Sequence, residues 1–406
     1  MMRLVKGQIT DVKGRIAKCQ SELKDLYEKL KIRIIAYTAK AALSKEIRDW
    51  LKVTDPSINH KSARDTHVKG TGSWLAKDDR FQEWLNEPGK AMWISGGPGF
   101  GKTVLFSTSV EAVQTHTSAH ASTCGRAYFY IDARSGASQK FDNLVRSLLD
   151  QLCFNQANIP DAIKRLYGTD RGWHPEPTLA QLKTTLGEVV KGFDEVYILI
   201  DALDECDSKA ELLDWMRSLQ SDTQGLHLLA TSRPERIIED RMSNFSHVRI
   251  PLTSDLLDDD IKTYVDAHVE ASEDLRILMT EEMKKKLRVR GDGMFRLVAF
   301  WIDELKHCLT LKAVKDTLER LPNSLNEMYA SMVAKIEPNH RRDGQAIMQW
   351  LLFSVRQLEL KEVAAVVGFE LSDGRPGFHK DWCYPNPKAV LDVCGGLVVI
   401  SQGLTF

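Results

Sequence analysis

The chain has 406 residues, is 43% hydrophobic and 27% charged, and carries a formal net charge of −1, the profile of a globular protein of two to three domains. The balanced charge gives no whole-chain argument for nucleic acid or an anionic membrane, and no apolar run approaches the roughly 20 residues needed to span a bilayer. Seven scattered cysteines without a Cys-x-x-Cys pair argue against a zinc ribbon and a secreted disulfide framework. The start, MMRLVKGQITDVKGR, lacks the apolar stretch of a secretory signal, so a reduced, cytoplasmic setting is expected.

Residues 1–52 form the first unit. Ile9, Val12, Ile16, Cys19, Leu23, Leu26 and Leu30 alternate spacings of three and four, an a/d seam of about three heptads. The pattern breaks at Arg33, but helix-compatible sequence runs on to Trp50. The seam fits either a helix packed within its own bundle or self-association through a coiled coil. No cap precedes it, which suggests the tail of a longer domain. Residues 53–68, with the polar stretch DPSINHKSARD, read as a linker.

From 69 to 255 short apolar runs alternate with helical patterns. AMWIS, RAYFYID, VYILID, HLLATS and HVRIPL are continuous rather than alternating, as expected of parallel strands covered on both faces. Between the first run and its helix stands GGPGFGKT, a complete G-x-x-x-x-G-K-[ST] phosphate loop in the required strand–loop–helix context. Glycines let the backbone aim several N–H groups at one anion, and the helix N-terminus adds its partial positive charge. Gly96, Gly97, Pro98, Gly99, Phe100, Gly101, Lys102, Thr103 and Val104 are the expected nucleotide-binding set. Lys102 would reach the β- and γ-phosphates, and the Thr103 hydroxyl would bind Mg²⁺.

VYILID ends in Asp201, where a P-loop enzyme keeps its magnesium acid, usually acting through water. Asp204 and Glu205 follow. Glu205 is the expected water-positioning base and Asp204 its support, unless the two only cap the helix beginning near Ser208. Cys206 reads as a packing residue. HLLATS runs into Arg233, whose guanidinium suits a γ-phosphate; the alternative is a surface arginine paired with a carboxylate.

Beyond Asp255 the patterns are helical. Pro322 separates a helical unit (256–322) from a last unit (323–406) of three helices and a strand–turn–strand ending, GGLVVISQGLTF, which describes a winged helix whose wing is cut short. The fold class is therefore an α/β P-loop NTPase core, with a parallel sheet and helices on both faces. A helical domain and an incomplete winged helix follow it, and an amphipathic helix precedes it.

KGTGSWL, FQEW, GGPGFGKT, AYFYID, VYILIDALDEC, LLATSRPE, GDGMFRLVAF and QWLLFSVRQLELKEVAAVV together resemble the NACHT-type signal-transducing P-loop ATPases. The resemblance is especially to the fungal NOD-like receptors, and the module is also similar to the N-terminal region of nephrocystin-type proteins. The resemblance runs from about His67 to the end. It implies that Gly70, Thr71 and Gly72 line the base or ribose, that Arg233 is the sensor arginine, and that Ala202 is the small residue following the magnesium acid. Where related proteins have Gly-x-Pro beside the adenine, this chain reads Gly291-Asp292-Gly293-Met294-Phe295. Family members also continue into a histidine-bearing motif and sensor repeats, neither of which precedes Phe406.

The resemblance implies a cytoplasmic switch of low ATPase turnover that binds Mg²⁺ with ATP or ADP and self-associates or joins related chains. No guanine-recognition motif appears, which favours adenine weakly over guanine. The second expectation is a catalytically weak interaction module or decoy that works through its N-terminal helix. Nucleic-acid binding through the winged helix is not expected, since His340-Arg341-Arg342 is its only basic run.

Overall fold

The computed structural model describes residues 2–118, 123–133, 136–154, 159–168, 174–354, 358–370, 377–394 and 397–398, without the side chains of 2–17 and 19–22. Helix α1 (Met2–Leu51) leads into α2 (Ser57–Asp65) and α3 (Asp79–Asn86). Strand β1 (Ala91–Ser95) is followed by α4 (Lys102–Thr117), β2 (Cys124–Tyr130), α5 (Phe141–Phe154), α6 (Asp161–Tyr167), α7 (Leu179–Val190) and β3 (Glu195–Asp201). Then come α8 (Lys209–Asp222), β4 (Leu226–Ser232), α9 (Arg236–Met242) and β5 (Val248–Pro251).

These five strands form one parallel sheet in the order β2-β3-β4-β1-β5. Side chains alternate across it. Trp93, Ile198, Ile200 and Leu228 join one buried cluster with α5, α7 and α8. Met92, Ile94, Leu199 and Leu229 join another with α3 and α4. Both faces are thus covered, which is why every residue of β1 and β4 is buried and why the strands read as unbroken apolar runs.

A third cluster gathers α10 (Ser254–Glu270), α11 (Glu273–Leu278), α12 (Glu281–Gly291), α13 (Phe295–Lys306), α14 (Leu311–Arg320) and part of α15 (Leu325–Ala334), around Trp301 and Leu297. A fourth is built from α16 (Arg341–Phe353), α17 (Leu360–Val366) and α18 (Ala389–Cys394) around Ile347, Val363 and Val390.

Two expectations change, and a third lies outside the described residues. The polar stretch 55–65 is not a bare linker. Asp55 accepts the Ser57 N–H at 2.8 Å, Pro56 stands at the helix start, and α2 then docks on the sheet edge. There His60 Nδ1 lies 2.8 Å from the Tyr130 hydroxyl, and Arg64 pairs with Glu111 of α4 at 2.9 Å. Asp-Pro-Ser was a helix start, with proline where its missing N–H costs nothing.

The seam of α1 does not pack within a bundle of its own where its side chains are described: Leu23, Leu26 and Leu30 are 72%, 69% and 55% exposed. Only the last turns, with Ile47 and Leu51, are buried, against the sheet face that carries α5. The side chains of Ile9, Val12, Ile16 and Cys19 lie outside the described residues.

The strand–turn–strand expected in 395–406 also lies outside them, except for 397–398. A short antiparallel pair occurs earlier, β6 (Phe369–Glu370) with β7 (Gly377–Phe378). Two-residue strands are too short for alternation to reveal them.

Candidate functional site

The site lies where the parallel strands end, the edge at which open α/β sheets take ligands. Chain leaving β1 turns through Gly96–Gly101 into α4. Gly99 (φ 80°) and Gly101 (φ 75°) are left-handed, a region L-residues avoid. A Cβ on Gly99 would also stand 3.0 Å from the Arg296 Cβ. The loop is thereby shaped as a nest ahead of the helix N-terminus. Lys102 Nζ donates to the carbonyls of Gly96 (2.8 Å) and Gly97 (2.9 Å). Burial lowers its pKa, opposed by the charges of Asp204, Asp201 and Glu205.

Asp201 closes β3 and is 2% exposed. Thr231 Oγ1 donates to its Oδ1, and the Thr103 hydroxyl lies near enough to act on its pKa. Burial pushes its pKa up to about 6, and these two hydroxyls oppose the shift. Ala202 then adopts a left-handed conformation (φ 58°, ψ 53°). That turns the chain into a short 3-10 segment, Leu203–Glu205, anchored by the buried Leu203.

Asp204 Oδ1 accepts the Arg233 backbone N–H at 3.0 Å, and its Oδ2 lies 3.2 Å from Arg233 Nε. The carboxylate partner considered as the alternative for Arg233 is therefore Asp204. Glu205 Oε2 accepts the Ala133 N–H at 2.6 Å, from the loop after β2. Neither acid caps α8 through its side chain in these contacts.

Gly70 (φ 102°) and Gly72 (φ 68°) bend the strap that crosses between α4 and α10. A Cβ on Gly72 would meet Leu105 at 3.1 Å, and one on Gly70 would meet Thr263 at 3.4 Å. Thr71 is buried and donates to the Val68 carbonyl at 2.8 Å. The strap is tied down by Asp260, whose Oδ2 accepts the Gly72 N–H and the Trp74 indole N–H, both at 2.9 Å. Burial raises the pKa of Asp260, and those two donors counter it.

The structure thus brings the phosphate loop, Asp201, Asp204, Glu205 and Arg233 to one edge, with the strap 70–72 beside α4. Sequence reasoning missed Asp260, the bond from Thr231 to Asp201, and the contact of the 291–296 turn with the phosphate loop. Asp260 was hidden in the run Asp258-Asp259-Asp260, where only the third position faces inward. Thr231 reads in sequence only as part of the polar tip of its strand, with nothing to mark its bond to Asp201. The turn at 291–296 touches the phosphate loop: Arg296 N–H donates to the Gly99 carbonyl at 3.3 Å, and the Phe295 ring covers Gly101.

Among the described residues no group of three His, Cys, Asp or Glu side chains could enclose a metal alone. The oxygens present suit Mg²⁺ nonetheless, because that ion binds through one or two protein oxygens, phosphates and water. The Thr103 hydroxyl and the Asp201 carboxylate, near each other beside the anion nest, supply such a pair. Among the described residues no helix is long and apolar enough to cross a membrane.

The chain is similar to known proteins. The vegetative incompatibility protein HET-E-1 of Podospora anserina is 22% identical over 375 residues, covering 87% of this chain and 26% of that protein. This chain therefore spans about a quarter of that relative's length. Among solved structures, the Aeropyrum pernix ORC1 protein in complex with DNA aligns with 80% of this chain and 82% of its own, at 12% identity and a TM-score of 0.40. Domain III of the Thermotoga maritima replication initiation protein DnaA aligns with 64% and 95%, at 14% identity and a TM-score of 0.34. Residues 70–233, which hold the strap, the phosphate loop, Asp201 and Arg233, match the family model described as Nephrocystin 3, N-terminal, and in sequence the chain is similar to a fungal NACHT-type incompatibility protein over most of its length.

Proposed function

We propose that this chain is a nucleotide-operated switch that binds ATP or ADP with Mg²⁺ at the phosphate loop, hydrolyses ATP slowly and changes its association with nucleotide state. The observation that carries this reading is a complete phosphate loop, with Lys102 bonded to its carbonyls, at the sheet edge where the buried Asp201 ends β3. In this reading Gly96–Val104 cradle the phosphates and Lys102 leaves the loop carbonyls to pair with the β- and γ-phosphates. Thr103 and Asp201 hold Mg²⁺, which supplies positive charge against the phosphates. Gly70, Thr71 and Gly72 border the base or ribose, with adenine preferred. Glu205 orients the attacking water, and Arg233, steadied by Asp204, contacts the γ-phosphate. In the present arrangement Ala133 N–H holds Glu205, so Glu205 must leave that partner to act, in keeping with low turnover.

The proposed units are 1–52, 53–68, 69–255, 256–322 and 323–406, the last a winged-helix-like module in a cytoplasmic protein. The turn 291–296 on the phosphate loop gives the helical unit a direct way to differ between nucleotide states, as a switch requires. Nucleotide binding and hydrolysis by wild type, Lys102→Ala and Glu205→Gln test the reading. Lys102→Ala should lose nucleotide, and Glu205→Gln should bind but not hydrolyse. Undiminished hydrolysis by Glu205→Gln refutes the base assignment.

A second reading is favoured by the exposed Leu23, Leu26, Leu30 and Tyr37: an interaction module that joins a second copy or longer relatives through α1. Sedimentation with and without nucleotide separates the two. Nucleotide-independent oligomers that vanish in Leu23→Lys/Leu26→Lys support the interaction module.

A further inference from the structure

Thr231 lies in β4 and is fully buried. Its hydroxyl makes two contacts. Oγ1 donates its proton to Asp201 Oδ1 and accepts the Ala202 N–H at 3.0 Å. A hydroxyl has one proton to give and lone pairs to receive, so these contacts use it in both senses. They serve two features the site cannot otherwise keep. One is a carboxylate sealed from water, which loses heavily if a bond partner is withdrawn. The other is a left-handed alanine, a conformation costing an L-residue about 1–2 kcal/mol, whose N–H must still be satisfied.

Thr103 stands on a different element, near enough to lower the pKa of Asp201. On the reading proposed above, Thr103 and Asp201 turn oxygens to the cation. Thr231 is no ligand in that scheme, and it grips the carboxylate from the neighbouring strand.

We propose that Thr231 is the positioning residue of the magnesium acid. Its hydroxyl fixes one orientation of the Asp201 carboxylate and thereby sets how tightly the site takes Mg²⁺ together with a nucleotide. The inference rests on the nucleotide reading, but it makes its own demand. Losing the hydroxyl must weaken Mg²⁺ while sparing the metal-free hold on phosphate, which belongs to the loop.

The test measures the affinity of a fluorescent ATP analogue against Mg²⁺ concentration, with EDTA as the metal-free point. Thr231→Val keeps nearly the same volume and removes the hydroxyl. It should raise the half-saturating Mg²⁺ concentration about ten- to a hundredfold, the usual effect of removing a group that orients a metal ligand. Metal-free affinity should stay within about twofold and Thr231→Ser within about threefold of wild type on the same grounds. Glycine takes the left-handed turn freely, so Ala202→Gly/Thr231→Val should keep the deficit if the carboxylate is what matters.

A wild-type Mg²⁺ response in Thr231→Val, a serine variant as weak as valine, or full rescue by Ala202→Gly would each overturn the proposal. Should the valine variant not fold, Thr231→Ser against Thr231→Cys carries the contrast. The weaker thiol donor should need more Mg²⁺, and equality overturns the idea. Failure of the underlying reading looks different: wild-type affinity indifferent to Mg²⁺ and unchanged by Lys102→Ala.

Discussion

Strand β3 and the middle of helix α1 are both rich in leucine and isoleucine, yet they meet opposite fates. In β3 Ile198 and Ile200 are completely buried, whereas in α1 Leu23, Leu26, Ile32 and Tyr37 are more than half exposed. The sheet spends its apolar residues on holding the loop, Asp201 and Thr231 in register. The helix spends its own on nothing else in the described chain. The core should therefore need its apolar residues to fold, while those in the middle of α1 should matter only in association.

The sharpest contrast is stability. Ile198→Ala should cost about 2–5 kcal/mol, as deletions in tightly packed cores do, read by denaturant unfolding. A cost near zero would mean that the sheet is not the cooperative centre.

The next effect is electrostatic and confined to the sheet. The carboxyl of Asp201 is raised to about 6 by burial, so the folded chain binds its proton more tightly than the unfolded chain does. The stability of the metal-free fold should rise as pH falls from about 6 towards 4. Asp201→Asn should remove that dependence and gain on the order of 3 kcal/mol at neutral pH. The Mg²⁺ response of nucleotide binding should move the opposite way and fade below pH 6, because the metal needs the carboxylate. Parallel trends would break this account of the site.

Smallest in stability is α1. Leu26→Lys should shift unfolding by less than about 0.5 kcal/mol, as exposed substitutions do. A large loss would show that the helix packs on something within the chain, closing the gap between the two regions.

Much of this was legible in the sequence, for identifiable reasons. The strands could be read because burial on both faces writes continuous apolar runs, and the phosphate loop because its glycines answer a backbone demand at Gly99 and Gly101. What could not be read were contacts between residues distant in the chain. Asp260 ties down Gly72 from 188 residues away, Thr231 reaches Asp201 across a strand pair, and Arg296 meets Gly99 from another cluster. Composition misled at 55–65, where polar residues face solvent on a docked helix. A heptad seam states that a helix has an apolar face but not what covers it, so α1 left two readings open.

The central claim is that the loop, Thr103 and Asp201 form one Mg²⁺–nucleotide site. Equilibrium binding of a fluorescent ATP analogue to the whole chain, with Mg²⁺ and with EDTA, beside Lys102→Ala, tests it most directly. The account predicts saturable binding that Mg²⁺ strengthens and that falls about a hundredfold in the variant, the scale of a lost charge-assisted contact. Binding that ignores both Mg²⁺ and the loss of Lys102, or folded wild-type chain that takes no nucleotide at all, would contradict it.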